Sequence, residues 1–207
     1  MRHLIFISLL FISFLTICNC NAQQPSVTTS LPKIRTTGKL NINDIKQSKR
    51  KFQYDNDRQL IKNDSLFKFI IEGNTMQKES VKMGENFKLI EVYNSKTLNL
   101  ISEIKLFFSI PLIYREYDLN GNIINVINYD KNFKLSIGDI VAIAKAKFKV
   151  DITKNITRLN VTRSDENSKL NQHYTLFLPI DERKSRYIII DDSTGKVTDD
   201  RIVFAVD

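Results

Sequence analysis

The chain has 207 residues, 31 Lys+Arg against 23 Asp+Glu, and a formal net charge of +8. With 42% hydrophobic and 26% charged residues it is neither a disordered polymer nor a collagen-like repeat, and its length suits one domain or two small ones. The basic surplus raises nucleic acid or an anionic surface as partner classes, and its distribution along the chain decides between them.

Arg2 precedes an apolar run over residues 4–17, interrupted only by Ser8, Ser13 and Thr16. A helix that spans a bilayer needs roughly 20 residues, so this run is too short to span and has the length of a secretory signal core. Cys20-Asn21-Ala22 places small side chains three and one positions before a cut, which gives a signal peptide over 1–22 and a mature chain from Gln23. Two other outcomes stay open. Cys18 or Cys20 as an acylated residue makes a lipoprotein, and an uncleaved run makes an anchor. Both cysteines lie in this segment, so a cleaved chain has no thiol for a disulfide. The expected location is secreted or periplasmic, with an outer-membrane lipoprotein as the alternative. Membrane contact is expected only with lipidation at Cys18 or Cys20.

Residues 23–50 read as a disordered basic spacer. The stretch 23–30 is polar and aperiodic, and Lys33, Arg35, Lys39, Lys46, Lys49 and Arg50 follow with only Asp44 opposing them. So little apolar surface cannot offset a backbone ordering cost of about 1–2 kcal/mol per residue. Residues 23–57 hold seven basic and three acidic side chains, whereas 58–207 carry only +3. The basicity belongs to a tail that could touch an anionic envelope surface. It does not make the folded part a nucleic-acid binder, since the tail has no aromatic before Phe52 to stack on bases.

Residues 51–135 form a β-rich region. The stretches 66–71, 87–93, 98–108 and 112–117 are rich in Ile, Leu, Phe and Tyr, with Pro111 as a break. Asp118-Leu119-Asn120-Gly121 predicts a hairpin turn, and 123–129 its return strand, giving a hairpin over 117–129. Tyr-Asp-x-Asn occurs at Tyr117 and again at Tyr129, which resembles one unit of the Tyr-Asp repeat arrays of large secreted bacterial proteins. A repeat architecture needs three or more units, so two strand ends with Asp as turn former account for the pair.

The period then changes. Ser136 opens a helix with Asp139 three positions on, and Ile137, Ile140, Val141, Ala144 and Phe148 make one apolar face. Four strands follow: one around Leu159 and Val161, one over 173–178, one over 186–190 and one over 196–204, separated by polar loops. Alternation in these strands predicts one buried and one wet sheet face, with the helix as cover. The expected fold class is therefore α+β, a helix packed on an antiparallel sheet in 136–207, preceded by the β-rich part.

Asp191-Asp192-Ser193-Thr194-Gly195-Lys196-Val197, Ser136, Asp139 and Ala144 in the helix, and Tyr187 in the penultimate strand together make residues 136–207 resemble the PepSY domain, a small secreted or membrane-associated bacterial module. Ile140 stands where that family usually has Ala, and the 155–171 region is long, so the likeness is a divergent one. The resemblance implies a non-catalytic role in binding or regulation in the envelope, or in inhibition of a secreted peptidase. It transfers no catalytic residue.

The residues themselves point the same way. His173 is the only histidine after the signal, and zinc would need three carboxylates beside it. No Gly-x-Ser-x-Gly elbow or Gly-rich phosphate loop occurs. Asp191, Asp192, Asp199 and Asp200 bracket the last hairpin but match no calcium-loop spacing, so they read as turn and strand-end residues. No enzyme activity, catalytic residue, metal or cofactor is expected. The expected function is an exported binding or regulatory module for a peptide or protein, the alternatives being a peptidase inhibitor and a structural surface lipoprotein.

Overall fold

A computed structural model describes residues 39–50, 57–164 and 172–204. The expected signal peptide, Cys18, Cys20 and the spacer up to residue 38 lie outside these residues. From Lys39 the expected spacer is docked rather than free. Lys39 bridges to Asn99, the N–H of Leu40 donates to the carbonyl of Leu98, and a short helix α1 (Ile42–Gln47) follows. The side chain of Asn41 caps α1 by accepting from the N–H of Asn43. Leu40 and Ile45 are buried against Phe69, Met76, Tyr93 and Leu100 and anchor a segment whose other residues, Ile42 included, are not buried.

An antiparallel meander comes next. A two-residue strand β1 (Lys49–Arg50) leads into β2 (Asp57–Lys62), β3 (Ser65–Glu72), β4 (Thr75–Lys82), β5 (Phe87–Asn94), β6 (Leu100–Phe107), β7 (Ile110–Tyr117) and β8 (Ile123–Asn128), each hydrogen-bonded to the next in chain order. Local chemistry sets the turns. Asn63 and Asp64 both adopt positive φ and close β2 onto β3 in two residues, as the right-handed twist of a hairpin demands. Pro111 does not break the sheet. It sits at the second position of β7 opposite Leu106, where a register shift between Lys105 and Leu106 accommodates it. The chain reverses instead at Phe108 and Ser109.

Cross-strand partners assign the two faces of the meander. Arg58, Phe69, Lys78, Glu91, Glu103, Arg115 and Val126 form one row across β2 to β8. This face is covered at one end by Leu40 and Ile45. On the opposite face Gln59, Lys68, Glu79, Ile90, Ile104, Tyr114 and Ile127 form the matching row, and none of the seven is buried.

After a 3-10 turn (Tyr129–Asn132) comes α2 (Ile137–Ile143), opened by the Ser136–Asp139 capping box and continued by a wider π-type turn (Ala144–Phe148). Four strands then form a second antiparallel sheet: β9 (Asn160–Arg163), β10 (His173–Pro179), β11 (Lys184–Asp191) and β12 (Val197–Phe204), in the order β12-β11-β10-β9. Its core gathers Val161, Tyr174, Leu176, Leu178, Ile188 and Ile190 with Ile137, Ile140 and Ala144 of the helical segment and Phe107 and Ile110 of the meander.

The expected α+β class is overturned. The protein is mostly β, 55% strand and only 15% helical, built from antiparallel sheets of seven long strands and four, with β1 as a short addition to the first. Two physical reasons account for the difference. At 1.5 Å per residue the seven residues of α2 extend only about 10 Å, too short to form a layer over a sheet. Meanwhile β2 and β4, unforeseen in the sequence, complete the meander that dominates the molecule.

Candidate binding surface

The most exposed ordered element is β8. The turn before it is fixed by Asp118, whose carboxylate accepts from the backbone N–H groups of Asn120 and Asn122 and from the Asn122 side chain at 3.0 Å. That side-chain bond, backed by the amide donors, holds the Asp118 carboxyl below the usual range. Gly121, at φ +85, supplies the left-handed residue of the turn. The strand thus delivered pairs with β7 alone, leaving its other edge free of partners among the described residues.

Every residue of β8 is exposed, including Ile123 (51%), Ile124 (65%), Val126 (52%) and Ile127 (40%), and none of its six residues is charged. The other sheet ends differ. β12 carries Asp199, Asp200 and Arg201, β9 is four residues long, and β1 is two residues long and basic. Charges, short length and bulges are the usual means of preventing strand addition at an edge. β8 has no charge and six residues, and its one irregularity is a bulge at Ile124, between the pairs Tyr117–Ile123 and Glu116–Asn125. Beside it, Glu116 on β7 accepts from Tyr114 Oη at 2.8 Å and from Asn125 Nδ2 at 3.2 Å, so the neighbouring carboxylate is already engaged within the sheet.

Four charged residues of the row on the covered face pair off with one another. Lys78 Nζ lies 2.7 Å from Glu91, which also accepts from Tyr93 Oη at 2.7 Å, and Arg115 lies 2.6 Å from Glu103. Burial, reinforced by the charge of Glu103, pushes the Tyr117 hydroxyl up to about 12. Each carboxylate has its own cation, which suits a structural ladder across β4 to β7.

The four aspartates of the last hairpin are likewise accounted for. Asp191 accepts from the Ser193 and Thr194 hydroxyls at 2.7 and 2.6 Å and shapes the turn. Asp192 is buried and binds the backbone N–H groups of Lys134 and Leu135. Asp200 takes a two-pronged bond from Arg186, with both contacts at 2.7 Å, and Asp199 lies 3.5 Å from Arg201. His173 lies on the interior strand β10, where its backbone N–H donates to Ser164 Oγ. Among the described residues no three His, Cys, Asp or Glu side chains gather in a way that could hold a metal ion.

A shallow cleft of about 410 Å³ opens where the meander meets the second sheet, lined by Ser109, Pro111, Tyr129, Phe133, Arg163 and Ser164. Its one cation is committed. The Arg163 side chain, 6% exposed, is bonded to Asp130 at 2.6 Å and to the carbonyl of Pro111 at 2.9 Å, and stacks 4.2 Å above the Phe133 ring. Arg163 joins β7, the 3-10 turn and β9. Apart from Arg163, the cleft offers a bound molecule the hydroxyls of Ser109, Tyr129, Thr162 and Ser164 and aromatic edges.

No protein-family model, curated protein or solved structure matches the chain. The sequence marked 123–129 as a return strand without marking it as a site. Its lack of any charge was visible there, but its place at the end of the sheet was not.

Proposed function

We propose that the protein is an exported, non-enzymatic binding module that takes an extended segment of a partner protein as an added strand on the free edge of β8. The observation that carries the reading is a combination found, among the described residues, in β8 alone: six edge residues, all exposed, none charged, four of them aliphatic. An added strand would satisfy the edge N–H and C=O groups and cover the aliphatic side chains at once, the main-chain bonds giving affinity and the side chains selectivity. Export is supported by the short apolar run that follows Arg2. The committed state of the Asp, Glu and Arg side chains around the cleft and in the charged row favours binding over catalysis.

The test is selection of binders from a random peptide library, followed by titration against the parent chain and Val126→Lys. A charge on an edge strand opposes pairing, so Val126→Lys is expected to weaken peptide binding at least about tenfold while Asp199→Lys on β12 leaves it unchanged. Equal affinity of the parent and Val126→Lys would remove β8 as the site.

A further inference from the structure

The sequence just ahead of Lys39 is placed to reach the free edge of β8. Lys39 bridges to Asn99, immediately before β6. The β5 side of Asn99 is already taken, because the N–H of Asn94 donates to its carbonyl, so Lys39 lies on the side of β7. From there the position of a strand added to β8 is two strand spacings away, about 10 Å. The four steps from Lys39 back to Arg35 cover about 13 Å at roughly 3.3 Å each, enough to cross that gap and to pass the bulge at Ile124. Asn99 is level with the turn before β8, since Ser102 pairs with Glu116, so a segment arriving at Lys39 from β8 would run antiparallel to that strand.

The chemistry of that segment, Pro32-Lys33-Ile34-Arg35, complements the regular stretch of β8 beyond the bulge, Asn125 to Asn128. A register that sets Ile34 opposite the exposed Val126 sets Arg35 opposite Asn125 and Lys33 opposite Ile127. Alternation then puts both cations on the face of Glu116, which pairs with Asn125. Both partners of Glu116, the Tyr114 hydroxyl and the Asn125 amide, are neutral, so among the described residues no cation offsets its charge. Ile34 falls on the other face, beside Val126. Pro32 falls at the end of the stretch, where its missing N–H matters least. Reach, direction, alternation and charge thus agree on one occupant.

We propose that residues 32–35 of the same chain cover the β8 edge until a partner segment displaces them. The proposal rests on the reading of β8 as an edge open to strand addition. A short tether gives such a cover an effective concentration on the order of millimolar, so four residues suffice to occupy the edge reversibly. The partner then binds only the fraction of molecules whose edge is open, and its apparent affinity falls by that fraction. The cover acts as a threshold that a better-matched segment must exceed.

The test is amide hydrogen exchange at β8 in the parent chain, in Ile34→Asp and in the double variant Lys33→Glu with Arg35→Glu. Val27→Asp, outside the covering segment, is the control, and far-ultraviolet dichroism checks that every variant folds. The edge amides of β8 are expected to exchange at least about tenfold faster in Ile34→Asp and in the double variant than in the parent, with Val27→Asp like the parent. A peptide selected on the parent is expected to bind both of the faster-exchanging chains at least about threefold more tightly. Equal exchange in all four chains overturns the cover. Protection that grows with protein concentration assigns the cover to another molecule and overturns it too. Peptide binding that depends on Val126 in the face of equal exchange leaves the edge reading standing alone. Exchange that responds to Ile34→Asp while no peptide binds supports the cover and removes the partner segment instead.

Discussion

Asp192 Oδ1 accepts the backbone N–H of Leu135 at 2.9 Å, across 57 positions of sequence. The other carboxylate oxygen takes the N–H of Lys134 at 2.8 Å, and the carbonyl of Leu135 accepts from Tyr174 Oη at 2.6 Å. The segment that leads into α2 is therefore held at both backbone polarities, by the hairpin after β11 on one side and by β10 on the other. Asp192→Ala is expected to cost about 1–2 kcal/mol, because it leaves two part-buried amides without an acceptor. Asp192→Asn keeps one acceptor oxygen and is expected to cost less. Urea midpoints of the three chains check both values, and a loss below about 1 kcal/mol for Asp192→Ala would show that water replaces the carboxylate.

Arg163 is the second tie between the parts of the fold. It reaches Asp130, the carbonyl of Pro111 and the ring of Phe133 with one planar fork. Lysine offers a point charge and cannot keep all three contacts. Arg163→Lys is expected to destabilise by about 1–2 kcal/mol. Arg163→Met is expected to lose about 2–3, somewhat less than a fully buried pair, because Asp130 is 30% exposed and can hydrate. Thermal melts followed by near- and far-ultraviolet dichroism measure the loss, and unchanged melting of Arg163→Met would remove the tie.

Acid is expected to loosen the hairpin that carries Asp191 and Asp200. The hydroxyls of Thr194 and Ser193 hold the Asp191 carboxyl below its usual range, and Arg186 does the same for Asp200. Folded values below unfolded ones mean that the unfolded chain takes up protons first. Stability from these groups is complete above the ordinary aspartate value of about 3.9 and is lost as pH falls through the lowered folded values. Urea midpoints between neutral pH and pH of about 3 are expected to fall. Asp191→Asn is expected to flatten that fall, and an unaltered slope in this variant would assign it to other carboxylates such as Asp118 and Asp151, which are also held low.

Legibility in the sequence followed locality. The capping box of Ser136 and Asp139, the Asp118 turn and the four C-terminal strands rest on neighbouring residues, and the sequence placed them. β4 escaped because Lys78 and Glu79 put charge on both of its faces. The structure explains that pattern: Lys78 pairs with Glu91 on the covered face, while Glu79 lies 3.5 Å from Lys88 on the open one. A strand whose faces are both partly polar shows no alternation. Overestimating the helix and missing β2 and β4 together produced the α+β expectation. The candidate site was half legible. The uncharged run of β8 stands in the sequence, but only the order of the sheet shows that nothing among the described residues pairs beyond it.

Alkali should act on Tyr174. Its ring is fully buried against Phe133, centroids 5.8 Å apart, its hydroxyl donates to Leu135, and burial pushes its ionisation up to about 12. The unfolded chain ionises near 10, two units earlier, so the folded state keeps its proton while the unfolded state releases one. The contribution of Tyr174 is complete below pH of about 10 and is lost as pH rises towards 12, about 2–3 kcal/mol over the window. Tyr117, also raised to about 12, adds to the same slope. Tyr174→Phe removes the ionisable group and the bond to Leu135 together. It is expected to be about 1–2 kcal/mol less stable at neutral pH, yet to show a shallower loss between pH of about 10 and 12. Urea titrations across that window compare the two slopes, and parallel curves for the parent and Tyr174→Phe would place the alkaline transition elsewhere in the fold.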